Sequence, residues 1–528
     1  MKKRLLTILL YMCCGALCAL PAVIGELWVL GWISFVPVIV CEYFREKDKK
    51  RPYLKAWKRG FSFIYAYGLV TFYWFIELYP LDFAGFTPGA ALGVVLLAWL
   101  GIPLLQCITG SFIVVFLCFL VRNKTPLGLY PLASAAIWTA CEWTHTLTWA
   151  GVPWGKLALG QTERLVNVQS ASLFGSYFVG FIMIFVSGLI AISVIYFGKR
   201  ETFKKGILTF ICAILIFESN SIYGTVAMNS KSDPSQKVVA AAIQGNIASD
   251  EKWSSSEISA LDKYSQLTRD AAAEGAELIV WPETALPYRL NDSLWLSEYI
   301  CNLSAETDTS IVVGCFIVED EKVYNATKLI TPEGFSENFY AKRRLVPFGE
   351  FVPLRTLVMT VFPPLADVSM LSSDLTPGKT SSLFEYDYGK IGSLICFDSI
   401  YETLALRSVR DGAELLCIST NDSWFHDSSA VYEHNAHAKL RSIETGRYTV
   451  RAANTGVSSI ITDKGETVDM FPALERGFAI GEVTLEDSNT LYTHVGNILV
   501  YLCIIFVAAY TGFCTIRNIK NGYNHRRK

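Results

Sequence analysis

Long apolar runs constrain the fold of this chain more than any other feature of its sequence. Only 18% of its 528 residues are charged, and several runs reach the roughly 20 apolar residues that cross a lipid bilayer. We predict eight spans, near residues 5–24, 27–43, 61–79, 91–121, 128–145, 169–197, 207–226 and 494–516. A polar segment of about 250 residues, long enough for a core of its own, separates the seventh span from the eighth. The pattern predicts a membrane α-helical bundle joined to one globular domain.

Lysine and arginine residues predict the orientation of these spans. They are concentrated at the N-terminus, in alternate connections and in the tail, at residues 2–4, 45–59, 122–124, 199–205 and 517–528. Because cytoplasmic connections are rich in these residues, we expect both termini in the cytoplasm and the polar domain outside. The net charge of −2 and the lack of a clustered basic surface argue against a nucleic-acid partner.

The predicted domains follow from these spans. Residues 1–228 hold the first seven helices, 238–486 form the outer domain, 494–516 the eighth helix, and 517–528 a basic cytoplasmic tail. The basic residues before the first span also fit a cleaved signal peptide. Cys18 fits a lipoprotein cleavage site, but Leu17 is too large for the position before that cysteine. We therefore expect the first span to stay in the protein.

Strand and helix patterns alternate in the outer domain. We predict strands at residues 238–244, 276–281, 310–318, 322–331, 390–396, 413–420, 448–452 and 458–462, and helices at 255–274, 401–411 and 430–447. Such alternation is typical of an α/β fold, in which polar residues just past the ends of buried strands carry the chemistry. Glu283 and Cys396 both lie at such ends.

Three polar residues of the outer domain are candidate catalytic residues. Cys396 offers a thiol nucleophile, Glu283 a carboxylate that can take its proton, and Lys342 an ammonium group that we expect to favour the thiolate. Taken singly, each has an ordinary interpretation: a core thiol, a turn carboxylate and a solvated lysine in the cationic run 342–344. Together, in this order along the outer domain, they predict acyl transfer through a thioester on Cys396.

The segments around these residues resemble known signatures. Trp281–Glu283, Lys342–Pro353 and Ile395–Asp398 resemble the Glu, Lys and Cys signatures of the nitrilase superfamily. The form of the second segment, which ends in Val-Pro-Phe-Gly-Glu-Phe-Val-Pro, is similar to the membrane branch of that superfamily, the apolipoprotein N-acyltransferases. Similarity continues through Gln244–Ile247 with Trp253, Asn421–Phe425, Arg441–Asn454, Gly151–Trp154 and Gly160–Gln161. This chain has Cys396, Phe397 and Asp398 where the family often has Cys-Tyr-Glu.

The resemblance implies a nitrilase-like αββα sandwich for the outer domain and a specific reaction. Glu283, Lys342 and Cys396 would be catalytic, with Lys342 and the backbone N–H after Cys396 stabilising the oxyanion. An acyl chain would pass from a phospholipid to Cys396 and then to the α-amine of the diacylglyceryl-cysteine of a lipoprotein, in a ping-pong scheme without a cofactor. The expected location is the bacterial cytoplasmic (inner) membrane, with the catalytic domain on its periplasmic side. The expected supporting or substrate-binding residues are Glu350, Trp253, Phe397, Asp398 and Trp154.

Two other functions stay open at the level of sequence. A membrane-tethered amidase would use the same three residues with water as the acceptor, although it would not need eight spans. A non-catalytic scaffold should have lost at least one of the three residues, whereas this chain keeps them all.

Histidine and cysteine residues raise two further questions. His434 and His437 are three apart on a predicted helix, but nothing in the sequence completes a metal site around them, so we predict no bound metal. Cys301 and Cys315 would be able to pair in an oxidising exterior, which the sequence leaves open.

Overall fold

The computed structural model describes residues 2–45, 50–81, 86–230, 236–248, 257–361 and 374–527. Their contacts divide the chain into two compact units. One is helical and comprises residues up to Tyr73, Trp99–Met228 and residues from Val495. The other comprises Trp74–Ala98 and Asn229–His494 and contains both β-sheets. Trp253 lies outside the described residues.

The helical unit consists mainly of long apolar helices. Short helices connect some of them. The helices, long and short, are Lys2–Val23, Leu30–Ile33, Val36–Tyr43, Pro52–Thr71, Pro88–Gly110, Phe112–Arg122, Tyr130–Thr144, Leu165–Val168, Ala171–Phe174, Ser176–Phe197, Phe203–Asn229 and Ile498–Arg527. The first part of Pro88–Gly110 belongs to the other unit. Within the described residues, six segments are long and apolar enough to cross a membrane: Arg4–Val23, Gly25–Tyr43, Pro88–Arg122, Ser176–Phe197, Arg200–Asn229 and Ile498–Asn521.

Two of the eight predicted spans are not among these six segments. The span near 61–79 falls on the helix Pro52–Thr71, which carries Lys55, Lys58 and Arg59 and ends well before residue 79. The span near 128–145 falls on the helix Tyr130–Thr144, whose 15 residues are fewer than the roughly 20 needed to cross a bilayer. The count of eight spans stays a prediction.

Two groups of buried polar side chains in the helical unit are hydrogen-bonded among themselves. Glu42 accepts hydrogen bonds from Arg59 Nη2 at 2.7 Å and from the Tyr11 hydroxyl at 2.6 Å. Gln161 accepts from Trp32 Nε1 at 2.8 Å and from Asn167 at 3.0 Å. Such pairing offsets the cost of burying charged and amide groups away from water.

The second unit contains two sheets. Their strands are β1 Gln236–Gln244, β2 Leu278–Val280, β3 Ser310–Glu319, β4 Lys322–Thr331, β5 Gly334–Phe335, β6 Tyr340–Ala341, β7 Leu383–Tyr386, β8 Gly389–Ile395, β9 Leu415–Thr420, β10 Thr449–Ala453, β11 Ser458–Ile461, β12 Thr467–Phe471 and β13 Gly477–Leu485. The first sheet has the order β13-β1-β2-β3-β4-β5, with β6 beside β4, and the second has the order β12-β11-β10-β9-β8-β7. In each sheet three neighbouring strands are parallel: β1, β2 and β3 in one, and β8, β9 and β10 in the other.

Helices cover the outer faces of the two sheets, and an apolar core fills the space between them. The remaining helices are Glu257–Ala273, Leu294–Thr307, Arg355–Val361, Glu402–Arg410, Ser429–Thr445 and Leu491–Val495. The first two pack on the first sheet, whereas Glu402–Arg410 and Ser429–Thr445 pack on the second. Alternate residues of facing strands, such as Val280 of β2 and Ile395 of β8, form the core between the sheets. The predicted αββα sandwich is confirmed.

Most predicted strands and helices of the sandwich appear within a few residues of their expected bounds. One difference matters for the chemistry: the strand predicted over 390–396 ends at Ile395, and Cys396 begins the 3₁₀ helix Cys396–Ile400. The strand β13 was not predicted, although it pairs antiparallel with β1 from Gln236 opposite Leu485 to Gln244 opposite Gly477.

Candidate active site

The sandwich brings the three predicted catalytic residues together. Glu283 follows β2 and Cys396 follows β8, each at the carboxyl end of a parallel strand, while Lys342 follows directly after β6. The carboxyl ends of the parallel strands of each sheet lie side by side, so the loops that follow them converge. The two sheets meet at these loops, because Asn421, which follows β9 of the second sheet, donates its backbone N–H to Glu283 Oε2 of the first at 3.0 Å.

Lys342 lies between two carboxylates. Its Nζ atom is 2.7 Å from Glu283 Oε1 and 3.0 Å from Glu350 Oε1. Burial lowers the pKa of Lys342, but the charges of Glu283 and Glu350 outweigh this effect and hold the pKa well above its usual range. The ammonium form is therefore the resident form, available to stabilise an oxyanion. Glu350 also accepts the Val346 N–H at 2.8 Å, so it links its own loop to the lysine. The supporting role of Glu350 stays a prediction.

Asn325, a residue of β4 that the sequence analysis did not select, completes this group. Its Nδ2 atom donates to Glu283 Oε1 at 2.7 Å and to Glu350 Oε1 at 2.8 Å, and it is 2% exposed. We call Glu283, Asn325, Lys342 and Glu350 the lysine cluster. An amide at a buried position inside a strand was the one sequence signal that would have pointed to Asn325.

Cys396 occupies a constrained backbone position at the end of β8. Its φ of 48° lies in the left-handed region, which non-glycine residues adopt at a cost of order 1–3 kcal/mol and which clusters at functional sites. The residue is partly exposed. The strand-to-helix turn therefore places Cys396 directly after the carboxyl end of β8.

Lys342 acts on the Cys396 thiol in the expected direction, but burial and a carboxylate act against it. Burial raises the pKa of the Cys396 thiol, the charge of Glu283 raises it further, and Lys342 lowers it without offsetting the other two effects. The thiol is therefore protonated at neutral pH. Its proton must leave during the attack on a substrate, and this makes a base beside it necessary.

Asp398 holds the segment after Lys342 against the Cys396 turn. Its carboxylate accepts the backbone N–H of Arg344 at 2.7 Å, the N–H of Arg343 at 3.2 Å and the Tyr340 hydroxyl at 2.8 Å. Burial raises its pKa to about 6, although Lys342 and these hydrogen bonds act in the opposite direction. An aspartate is thus long enough for a positioning function here.

Phe397 contributes packing. Its ring makes an edge contact with the ring of Tyr401, with centroids 5.5 Å apart, and the guanidinium of Arg344 lies 4.8 Å from the centroid of the Tyr401 ring. The phenylalanine at this position therefore belongs to a small aromatic and cationic stack.

A second buried polar group borders Cys396. His434 Nδ1 is 2.9 Å from Asp422 Oδ1, Arg451 Nη2 is 2.7 Å from Asp422 Oδ2, and His434 Nε2 is 3.0 Å from Ser399 Oγ. We call Asp422, His434, Arg451 and Ser399 the histidine cluster. Burial raises the pKa of Asp422, but Arg451 and His434 outweigh this effect and hold it well below the usual range.

The cysteine, aspartate and histidine of this region have the ligand types of a metal site. Each of the residues Cys396, Asp422 and His434 offers one ligand atom, and these three atoms lie within 4.8 Å of one another. The guanidinium of Arg451 already balances the charge of Asp422, so a metal ion would lie beside a fixed cation. This donor set fits a metal poorly, and the absence of a metal stays a prediction.

The other predicted site residues have mixed outcomes. Trp154 lies in the helical unit, buried in the 3₁₀ helix Pro153–Gly155, and its functional role stays a prediction. Trp253 lies outside the described residues. Cys301 and Cys315 are both free thiols in this structure.

Comparisons with known proteins agree with this architecture. The sequence profile of carbon-nitrogen hydrolases matches residues 239–492, and that of the apolipoprotein N-acyltransferase N-terminal domain matches residues 14–189. An apolipoprotein N-acyltransferase of Geobacter metallireducens is 29% identical over 93% of this chain and 92% of its own length. One of Methylococcus capsulatus is 30% identical, over 75% of each chain.

This chain belongs to the apolipoprotein N-acyltransferase family. It is accordingly a multi-pass membrane acyltransferase with a nitrilase-like domain, and the family assignment favours the transferase over the amidase. Among solved structures, a nitrilase-superfamily protein of Saccharomyces cerevisiae is 18% identical, with a TM-score of 0.38, covering 51% of this chain and 96% of its own. An amidase from Nesterenkonia sp. is 14% identical, with a TM-score of 0.37, covering 49% of this chain and 94% of its own.

Proposed function

We propose that this member of the apolipoprotein N-acyltransferase family moves an acyl chain from a phospholipid to the α-amine of the diacylglyceryl-cysteine of a lipoprotein. Glu283, Lys342 and Cys396 are the proposed catalytic residues. The observation that carries the proposal is the lysine cluster, in which one buried ammonium lies 2.7 Å from the carboxylate proposed as the base. The same cluster contains a second carboxylate, Glu350, whose Oε1 atom lies 3.0 Å from the same ammonium.

The first half-reaction forms a thioester. The Cys396 sulfur attacks the ester carbonyl carbon of the phospholipid while Glu283 takes the thiol proton. The resulting oxyanion accepts hydrogen bonds from Lys342 and from the N–H of Phe397, and one such donor contributes about 10²–10³ in rate. When the carbon–oxygen bond breaks, Glu283 returns the proton to the leaving oxygen. Lysophospholipid departs, and the acyl group stays on sulfur.

The second half-reaction transfers the acyl group to nitrogen. The α-amine attacks the thioester carbonyl carbon, and Glu283 takes a proton from the nitrogen. The carbon–sulfur bond breaks, the sulfur recovers that proton, and an N-acyl amide leaves. Both half-reactions use the same oxyanion donors, and neither needs a cofactor or an energy source, because an ester is converted to a more stable amide.

The proposed location is the cytoplasmic (inner) membrane of a bacterium. The distribution of lysine and arginine supports both termini in the cytoplasm and the sandwich, here residues 238–486, on the periplasmic side. Residues 1–228 and 494–516 are the proposed membrane-spanning parts, and 517–528 the cytoplasmic tail.

A transfer assay tests the proposed function. Full-length protein in detergent micelles is incubated with phosphatidylethanolamine and a synthetic diacylglyceryl-cysteine peptide, and the peptide mass is followed. We expect an N-acylated peptide from wild type and none from Cys396→Ala. Release of free fatty acid with no peptide product would support the amidase alternative instead, and neither product from any phospholipid class would favour the scaffold.

A further inference from the structure

The carbonyl group of Cys396 is held by two side chains of the histidine cluster. His434 Nε2 lies 3.2 Å from the Cys396 carbonyl oxygen, and Ser399 Oγ lies 2.8 Å from the same oxygen. A carbonyl oxygen only accepts hydrogen bonds, so Ser399 donates its hydroxyl proton to it, and His434 donates to it in the form that carries a proton on Nε2. Because Nδ1 also donates to Asp422, that form is the doubly protonated imidazolium. Nε2 also lies 3.0 Å from Ser399 Oγ, so its N–H is shared between the hydroxyl and the carbonyl oxygen. Ser399 belongs to the 3₁₀ helix that Cys396 begins, whereas His434 comes from the distant helix Ser429–Thr445.

His434 is itself held rigidly. Its Nδ1 atom is 2.9 Å from the Asp422 carboxylate, which accepts that N–H, and Arg451 fixes the other oxygen of Asp422 at 2.7 Å. All three side chains are at most 1% exposed. The series of hydrogen bonds from Arg451 through Asp422 to His434 therefore ends at one backbone atom, the carbonyl oxygen of Cys396, the proposed nucleophile.

The peptide unit that follows Cys396 links this carbonyl to the proposed chemistry. The Cys396 C=O and the Phe397 N–H belong to one planar amide, and the N–H groups at the start of a helix have no partner within the helix. Donors at the carbonyl oxygen strengthen the N–H of the same amide as a donor, because hydrogen bonds in a chain polarise one another. They also hold the amide plane in place beside a residue with a φ of 48°.

We propose that His434, together with Ser399, orients and polarises the Cys396–Phe397 peptide so that its N–H serves as the oxyanion donor. This inference rests on the proposed function, since it assigns a cause to one of the two oxyanion donors. His434 is then a positioning residue that touches no substrate. Its contribution is confined to steps that pass through an oxyanion.

Two reactions of the same thiol separate this role from a general structural one. Acylation of Cys396 by phospholipid passes through an oxyanion, whereas alkylation by iodoacetamide displaces iodide and forms none. Both rates are measured on full-length protein in micelles, from the mass of the peptide that contains Cys396. The variants are His434→Leu, which removes the donor, and His434→Gln, whose amide N–H is able to replace it.

We expect His434→Leu to slow acylation about 10²-fold, the usual cost of one oxyanion donor, and to change alkylation by less than about threefold. We expect His434→Gln to be acylated at least tenfold faster than His434→Leu, because the glutamine amide donates to the same oxygen. The matched control is His437→Leu, which changes a fully buried histidine of the same helix. Its ratio of acylation to alkylation should equal that of wild type. Melting temperatures show that each variant is folded.

The outcomes that would overturn this inference differ from the outcome that would overturn the proposed function. Equal losses in both reactions for a folded His434→Leu, or no loss in either, would overturn the inference. If His434→Leu does not fold, Ser399→Ala decides: acylation reduced about tenfold with alkylation retained supports the inference, and unchanged acylation overturns it. A wild-type protein that transfers acyl groups without acylating Cys396 would instead overturn the proposed function.

Discussion

The two charge clusters beside Cys396 differ in how far their carboxylates are neutralised. In the lysine cluster two carboxylates, Glu283 and Glu350, share one lysine. In the histidine cluster one carboxylate, Asp422, lies between an arginine and a histidine. Asp422 is therefore locked in its ionised form and cannot accept a proton near neutral pH, whereas Glu283 shares the cation Lys342 with Glu350. This difference supports our proposals that the lysine cluster transfers protons and that the histidine cluster has a positioning role.

The largest expected effect comes from removing the base. Glu283→Gln keeps the shape of the side chain and removes its proton-accepting charge. We expect Cys396 acylation to fall about 10³-fold, within the range typical of a general base, while the protein stays folded. The measurement is single-turnover acylation followed by intact mass. A Glu283→Gln variant that is acylated at the wild-type rate would contradict the proposed difference between Glu283 and Asp422.

Asp422→Asn should act chiefly on stability. The substitution leaves the buried guanidinium of Arg451 without its counter-charge, and loss of one partner of a buried pair costs about 3–5 kcal/mol. Thermal unfolding of the variant beside Glu283→Gln checks this expectation. Equal melting temperatures for the two variants would contradict the assignment of a structural charge to the second cluster.

Asp398 gives a pH-dependent prediction. Its pKa is raised from 3.8 to about 6 in the folded protein, so the folded state binds its proton more tightly than the unfolded state does. The contribution of Asp398 to the free energy of unfolding is therefore greatest below pH 4. It falls by about 3 kcal/mol as the pH rises through 6. Asp398→Asn lacks this titration. The gap in melting temperature between wild type and variant should thus shift in favour of the variant between pH 4 and pH 7, and a constant gap would contradict the prediction.

The smallest expected effect concerns Asn325, which bridges the two carboxylates of the lysine cluster. Asn325→Leu removes both donations, and we expect acylation to fall about tenfold, as for loss of one charge-assisted hydrogen bond. The matched control is Asn338→Leu, because Asn338 is exposed and donates to the carbonyl oxygen of Leu383. Acylation rates of both variants are compared with wild type. Equal rates for the two variants would remove Asn325 from the site.

Sequence patterns predicted an α/β domain, and the family resemblance implied the αββα sandwich. Together they selected three of the four residues of the lysine cluster. Glu283 and Cys396 were identifiable because they follow buried strands, and Lys342 because it lies in a recognisable segment between them. Asn325 was missed because it lies inside β4, where the alternating pattern indicates only a strand. The histidine cluster was missed for a different reason: Asp422 is 12 residues from His434 and 29 from Arg451, and only the packing of β9, β10 and a helix brings them together.

The protonation state of the Cys396 thiol could not be predicted from the sequence either. A lysine near a cysteine favours the thiolate, and that expectation considered only Lys342 of the cationic run 342–344. The structure adds burial and the charge of Glu283, and these raise the pKa of Cys396 above its usual value. The motif shows which charged residues are present, but not how deeply the thiol is buried or which of those charges lie beside it.

Intact mass of the full-length protein after incubation with phospholipid, with no acceptor present, tests the central claim most directly. Wild type should gain the mass of one acyl group, located on Cys396 by peptide mapping, and should lose it when a diacylglyceryl-cysteine peptide is added and becomes N-acylated. Cys396→Ala should gain nothing. Acyl transfer to the peptide by Cys396→Ala, or by wild type with no acyl group on Cys396 at any time, would contradict the account.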